Sequence, residues 1–371
     1  MNIKRHFILL ICLIFINSIS KGQSTILAIN SNSKTVAQLN AADGTVINPS
    51  FINLSSLNPG TIKGIIQVQN KFWISDQTNN VIYICNSDGT YSSTIPSSTG
   101  LSNIRGLNIV NNEVWVTNAG NSNGATANSI VRLDFTGNNV GTFPTLGSPF
   151  DVLDNGAGSV YITSFNSDGI QTMSYNGTVT GNLVQTGILS GVQQINKIQN
   201  GNYLVGVFSS NTSAGNDPGV YVISSANGNI LNKWAVGGVR GVIQTGNGNY
   251  LYTTGSGIYT LNPSTGATAQ VISGNYQYMK LINTSTLHVT ETKENTTASV
   301  YPNPTSGVLF VKSDEKINNV LIYSVAGQMI KNFKNIETNE SKIDISDFLP
   351  GIYLIKVETK SAQKILKVIK K

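Results

Sequence analysis

The chain has 371 residues, of which only 11% are charged, with 36 glycines and a formal net charge of +6. So few charges beside so many small residues exclude disorder driven by net charge, and point away from long helices toward many short strands and turns. The positive charge does not mark a nucleic-acid binder: Lys4, Arg5 and Lys21 sit at the front, residues 24–290 hold nine basic and nine acidic side chains, and the remaining +3 lies in the Lys-rich segment beyond.

In chain order, Lys4 and Arg5 precede an apolar run from Phe7 to Ile16, and Ser20-Lys21-Gly22 places small residues ahead of a cut before Gln23. This pattern predicts a signal peptide over residues 1–22, because the apolar run is shorter than the roughly 20 residues that a spanning helix needs. No transmembrane segment is expected in the mature chain. Cys12 lies inside the leader without a lipobox-like approach, so lipidation is not expected. Cys85 alone then remains, which rules out an intramolecular disulfide. It continues the alternation Val81-Ile82-Tyr83-Ile84, where a buried, inert thiol is expected.

The next feature is a repeat of about forty residues. Phe72-Trp73-Ile74-Ser75-Asp76, Asn80-Val81-Ile82-Tyr83-Ile84 and Asn86-Ser87-Asp88-Gly89-Thr90 read as strand, strand, tight turn and further strand. The order returns from Val114-Trp115-Val116-Thr117-Asn118, from Val160-Tyr161-Ile162-Thr163-Ser164, from Tyr203-Leu204-Val205 and from Tyr250-Leu251-Tyr252. Near the front, Ile26-Leu27-Ala28-Ile29 and Thr35 to Leu39 complete the set. An apolar stretch precedes each later copy: Ile62-Lys63-Gly64-Ile65, Ile104-Arg105-Gly106-Leu107, Pro149-Phe150-Asp151-Val152, Ile195-Asn196-Lys197-Ile198 and Val239-Arg240-Gly241-Val242. The front copy lacks one, and Tyr278-Met279-Lys280-Leu281 supplies it. Four strands every forty residues is the period of propeller blades, and pairing the last strand with the first blade protects both edges. Six blades follow, unless Leu287-His288-Val289-Thr290 competes for Ile26 to Ile29 and builds a seventh. The repeat resembles the NHL-type six-bladed propellers, on the stretch from Ile62 to Thr90 and its echoes across residues 23–290.

Composition changes after Glu291, and residues 291–298 read as a linker. Val300-Tyr301-Pro302-Asn303-Pro304-Thr305-Ser306-Gly307 then leads into the alternation Val308-Leu309-Phe310-Val311. Tyr323 to Gln328, with a turn at Gly327, is followed by Ile343-Asp344-Ile345, Leu349-Pro350-Gly351-Ile352-Tyr353 and the basic strand Lys364 to Lys371. Strands set apart by Pro/Gly turns predict a small β-sandwich over residues 299–371. This run resembles the type A C-terminal sorting domain of type IX secretion cargo, through Tyr301, Pro302, Asn303, Pro304, Gly327, Gly351 and Tyr353. The resemblance implies a Bacteroidetes-type bacterium, passage through both membranes by the type IX outer-membrane machinery, and attachment to the surface or release. The alternative is a generic immunoglobulin-like stalk. The expected fold class is therefore all-β: a six-bladed β-propeller followed by a small C-terminal β-sandwich sorting domain.

Chemistry is sparse. His6 leaves with the leader and His288 stands alone, so a Ser-His-Asp arrangement has a single candidate base with no partner identifiable by sequence. No metalloprotease, redox or nucleotide motif occurs, and no catalytic residue, cofactor or metal is expected. Asn86-Ser87-Asp88-Gly89 and Asn166-Ser167-Asp168-Gly169 resemble fragments of calcium loops but lack further acidic ligands, and hairpin turns account for them. Asp76, Asp134 and Asp217 read as residues bonding nearby backbone. One constellation stands out: Lys63, Arg105, Lys197, Arg240 and Lys280 fall on the innermost segments, with Asp151 the lone acid. A ring of cations at a channel mouth attracts an anion, while the alternative places these side chains in packing between blades. The leading function is a secreted, non-catalytic propeller that binds a surface glycan, a protein or a small anion. A lactonase- or lyase-like enzyme and a gliding-associated surface component are the competing readings. For the lactonase, Asp151 and Asn196 would have to hold the metal without a glutamate.

Overall fold

A computed structural model describes residues 24–282, 298–324, 329–360 and 363–371. The expected signal peptide, nearly all of the expected linker, the strand-like Leu287 to Thr290 and Gly327 lie outside the described residues. No helix among the described residues is long and apolar enough to cross a membrane. The described residues fall into two compact units, taken separately below.

The larger unit is a ring of six sheets, each of four antiparallel strands. The first blade is composite: Tyr276–Ile282 pairs with Thr25–Asn30, which pairs in turn with Thr35–Asn40, and Val46–Asn53 completes the sheet. Blades two to six begin with the inner strands Ile62–Val68, Ile104–Val110, Pro149–Asp154, Ser190–Lys197 and Val242–Gln244. Each inner strand touches the next, and Val242–Gln244 touches Tyr276–Ile282, so the ring closes with six blades.

The strands follow from period-two alternation with both faces buried, since each face meets a different neighbouring blade. Trp73 lies in a cluster shared with Ile104 and Val116 of the third blade, whereas the adjacent Ile74 lies in one shared with Ile29 and Ile52 of the first. A cluster of this kind fills each of the six gaps between blades. Side chains such as Trp73 and Ile74, 2% and 0% exposed, each contribute roughly 1.5–3 kcal/mol by leaving water. Cys85 is buried in the gap between the first two blades, and burial pushes its thiol up to about 11, the inert state expected of it.

The hairpins joining third to fourth strands turn at Gly44, Gly89, Gly137, Gly177, Gly228 and Gly266, all with φ between +72° and +94°. Just ahead, Asp43, Asp88 and Asp134 each accept hydrogen bonds from the backbone N–H and hydroxyl of the threonine two residues on. Asp88, in the calcium-loop-like fragment, thus serves a hairpin turn. Asp76 likewise accepts from the backbone of Gly60, Thr78 and Asn79.

The smaller unit has five strands, Ser299–Tyr301, Val308–Ser324, Met329–Asp344, Gly351–Thr359 and Gln363–Lys370. The two long strands pair along their length, with register shifts between Lys312 and Asn319. On its other side, Val308–Ser324 serves a different neighbour with each half: Phe310–Lys312 pairs with Ser299–Tyr301, and Ile317–Ser324 pairs with Gly351–Thr359. The sandwich is therefore one irregular sheet whose halves, represented by Leu309, Val311 and Ile343 on one side of the break and Val320, Ile322, Ile355 and Val368 on the other, share a single core. Ala298 is buried in that core.

Gly228 separates two effects of a turn glycine. Its φ is +72°, and a Cβ there would lie 1.6 Å from the Leu183 carbonyl oxygen, whereas Gly248, at φ +88°, has nothing within 4 Å. Gly248→Ala is expected to cost about 1 kcal/mol from the left-handed backbone alone. Gly228→Ala is expected to cost well over about 2 kcal/mol, because the neighbouring blade must also move. Denaturant midpoints of the two variants check this.

Candidate functional site

Every inner strand breaks its ladder with the second strand at the same two residues. The pairing skips between Ile62 and Ile65, Ile104 and Leu107, Pro149 and Val152, and Val192 and Ile195. In the first blade it skips between Ala28 and Asn30, opposite Gln277 and Tyr278. In the sixth, hydrogen bonds of Thr253 with Arg240 and Gly241 mark the equivalent place. The two skipped residues are thus Lys63-Gly64, Arg105-Gly106, Phe150-Asp151, Gln193-Gln194, Arg240-Gly241 and Gln277-Tyr278.

These residues face the axis and fill it. The Lys63 ammonium, on the second blade, donates to Gln193 Oε1 of the fifth at 2.8 Å and to Gln277 Oε1 of the first at 2.7 Å. It also lies 5.2 Å and 4.9 Å from the ring centres of Phe150 and Tyr278. Arg105 stacks over Phe150 at 3.9 Å and donates through Nη1 to Ser148 Oγ and to the Pro149 carbonyl. Its Nε is buried without a partner. Arg240 is half-buried, donates to the Asn275 side-chain oxygen and stands 5.7 Å from the Phe208 ring. Phe208, Phe165 and Phe150 follow one another in contact. Deeper along the axis, Lys280 donates to Asn108 Oδ1 at 3.1 Å.

Asp151 is the acid among these four cations. Its Oδ2 accepts from the Ile195 N–H at 3.1 Å, and its Oδ1 sits where a Cβ on residue 106 would lie, at 2.3 Å. Gly106 is required for that approach. Burial raises Asp151 to about 7, against the opposing pull of the Ile195 N–H and Lys280. Burial also lowers Lys63 well below the usual lysine range, reinforced by Arg240 and Arg105. Burial brings Arg105 to about 10, which leaves it charged at neutral pH. The cluster is a desolvated group of like charges with partial compensation.

Of the residues singled out from sequence, Lys63, Arg105, Asp151, Arg240 and Lys280 come together on the axis. Lys197 does not. It is exposed where the fifth inner strand ends, beside a depression of ≈ 630 Å³ also lined by Asn196, Ile243, Gln244 and Leu281. The reason is register. Ile195-Asn196-Lys197-Ile198 and Val192-Gln193-Gln194-Ile195 both match the pattern of Ile62-Lys63-Gly64-Ile65, and the ladder selects the second. By the same shift, Gln277 and Tyr278 are the counterparts of Lys63 and Gly64, and Lys280 lies two positions deeper. Sequence reading thus missed Gln193, Gln194, Gln277 and Tyr278 as axis residues. A hydroxyl on the second strand marks the break in four blades, at Ser75, Thr117, Thr163 and Thr253. Gly206 and Ile29 stand at this place in the fifth and first blades, so the four missed residues carried no such signal. The axial cavity beside Asp151, Gln194 and Lys280 measures ≈ 10 Å³, room for about one water.

In the smaller unit Tyr301 stacks on Phe310 and donates to Glu340. Gly351 opens the fourth strand, and the Tyr353 hydroxyl donates to the Leu349 carbonyl across the turn at Pro350. Asn303 and Thr305 reach the last strand. Pro302 and Pro304 bracket Asn303 on the exposed surface.

The Asp151 carboxyl has a testable consequence. Its folded-state pKa lies above the ordinary carboxylate value near 4, so between about pH 4 and 7 the folded state holds more protons than the unfolded state, and stability falls as pH rises through that window. Asp151→Asn, which can still accept from Ile195, is expected to remove this slope and to be at least as stable as the wild type at pH 8. Unfolding free energies between pH 4 and 8 test it.

Residues 299–371 match the family model of the secretion system C-terminal sorting domain. None of the curated proteins matches the chain. Among solved structures, a protein of unknown function from Bacteroides caccae is 12% identical with a TM-score of 0.51, over 70% of this chain and 99% of that one. A chain of the nidogen/laminin complex is 15% identical with a TM-score of 0.55, over 70% of this chain and 98% of the other. At these identities the likeness is one of fold. The chain is a six-bladed β-propeller carrying a type IX sorting domain, which directs it to the cell surface or the extracellular space.

Proposed function

We propose that the propeller is a non-catalytic binding module that captures an anionic group, the carboxylate or sulfate of a surface glycan, at the mouth of the channel where the inner strands begin. The observation that carries this reading is the excess of cations on the axis. Lys63, Arg105, Arg240 and Lys280 face Asp151 alone, and Lys63 is disfavoured as a cation by both arginines. Buried charge of one sign is costly, and an incoming anion offsets that cost. Arg240 is the member with access. It is half-buried beside Phe208, and its guanidinium lies 3.6 Å from where a Cβ on residue 255 would be. Lys63 and Arg105, at 4% and 6% exposure, act behind it through their field.

The enzyme reading has less support. A metal there would have one carboxylate, Asp151, and the Asn196 amide oxygen, and among the described residues no three or more His, Cys, Asp or Glu side chains gather to hold one. The repeat is read as NHL-type, residues 1–22 as the signal for inner-membrane passage, and the source as a Bacteroidetes-type bacterium. The sorting domain supports that route.

Two experiments test the proposal. Titration of uronate and sulfated oligosaccharides should show binding that weakens as salt rises. Arg240→Ala should lose about tenfold in affinity, the effect of one charge-assisted contact. Equal affinity in both proteins rejects the site. Separately, removal of residues 299–371 should leave the propeller folded, because it has its own core, and should stop passage across the outer membrane. Normal surface levels of the truncated chain would overturn the export reading.

A further inference from the structure

The last strand of the sorting domain, Gln363–Lys370, pairs with Gly351–Thr359 on one side. Its other side would be an open edge, with N–H and C=O groups free to pair with another chain. The Tyr301-Pro302-Asn303-Pro304-Thr305 segment covers its C-terminal half. Asn303 Nδ2 donates to the Lys367 carbonyl at 2.7 Å, and Asn303 Oδ1 accepts from the Ile369 N–H at 2.9 Å. Thr305 continues the lacing, its N–H donating to the Ile369 carbonyl at 2.9 Å and its carbonyl accepting from the Lys371 N–H at 2.8 Å. Four successive outward groups are therefore satisfied.

The two residues do this differently. Thr305 uses its backbone, as a parallel bridge to Lys370. Asn303, flanked by two prolines that carry no N–H, uses its side chain. A primary amide offers a donor and an acceptor in the arrangement of a peptide group, so Asn303 completes the edge without being part of a strand. Aspartate lacks the donor and alanine lacks both. Thr305 itself is 1% exposed, with its hydroxyl donating to the Val308 carbonyl and accepting from the Gly307 N–H, which anchors the segment to the start of the first long strand.

We infer that Asn303 is a positioning residue for export: its amide covers the edge of the last strand at Lys367 and Ile369, so that the machinery meets the end of that strand as a fixed member of the sheet, through the outward side chains Lys367 and Ile369, rather than as an edge open to pairing. This inference is independent of the anion site and rests on the sorting domain alone.

The test compares Asn303→Ala, the milder Asn303→Asp and a core variant, Ile322→Val, chosen to lower the melting temperature of the sorting domain by a similar amount. In the purified full chain, the Ile369 amide should exchange about fivefold faster in Asn303→Ala, the effect of one lost hydrogen bond. In the native host, both Asn303 variants should fall several-fold in surface level while Ile322→Val is exported normally. Unchanged exchange, wild-type export of Asn303→Ala, or an equal loss of export in Ile322→Val would each overturn the inference. Should Asn303→Ala fail to fold, Asn303→Asp, which loses the donor to the Lys367 carbonyl and keeps the acceptor for the Ile369 N–H, carries the export comparison, and its wild-type export would overturn the inference.

Discussion

A hydroxyl on the second strand of a blade holds that blade to the next, and the remainder of the propeller is arranged around that contact. Where each inner strand breaks its ladder, the freed backbone groups need partners in a place closed to water. Ser75, Thr163 and Thr253 accept from the N–H of Gly64, Asp151 and Gly241 in their own blades. The same hydroxyls donate to the carbonyls of Arg105, Gln193 and Gln277 in the next blade. Thr117 bridges the carbonyls of Gly106 and Phe150. In the fifth blade Gly206 stands at this place, and the Gln194 N–H donates directly to the Arg240 carbonyl. Satisfying the break and joining the blades are thus one interaction.

The break also determines what occupies the axis. It turns two adjacent residues of each inner strand inward, and the space admits few large side chains. Gly64, Gly106 and Gly241 let the next strand approach closely, within 3 Å of where their Cβ atoms would be. Asp151, Gln194 and Tyr278 take the alternate places. Long side chains then cross the axis: Lys63 joins three blades, the Tyr278 hydroxyl donates to the Phe150 carbonyl, and Gln194 Nε2 donates to the Met279 carbonyl. Glycine at these places serves strand packing, and the cations gather because they are long enough to brace the ring.

The same bracing gives the ring its electrostatic character. The brace is made of lysine and arginine, and its half-buried member, Arg240, lies beside Phe208, which leads through Phe165 to Phe150. The sorting domain has its own core and solves a different problem, the protection of an edge strand on a unit that must be presented to the export machinery. In each case a polar side chain stands in for missing backbone pairing: serine and threonine hydroxyls in the ring, and the Asn303 amide in the tail.

Local chemistry was enough to reveal the blades and the tail, with six blades expected and a seventh left open until the closure of the ring decided the number. Glycine turns such as Asp88-Gly89, the alternation around Trp73 and Trp115, and the Tyr301 to Pro304 and Pro350 to Tyr353 series all act over a few residues, so the sequence alone determined them. The closure by Tyr276–Ile282 was also legible, because the first blade lacked an inner strand. Register along the inner strands was not. Val192 to Ile195 and Ile195 to Ile198 present the same spacing of apolar residues, and only pairing with Tyr203–Ser209 decides which pair turns inward. Tertiary structure therefore moved Lys197 to the surface, brought Gln193 and Gln277 to the Lys63 ammonium, and made Asp151 a buried acid. A shift of a few residues leaves local hydrophobicity unchanged while it exchanges axis for solvent, and that choice belongs to hydrogen bonds between strands distant in sequence.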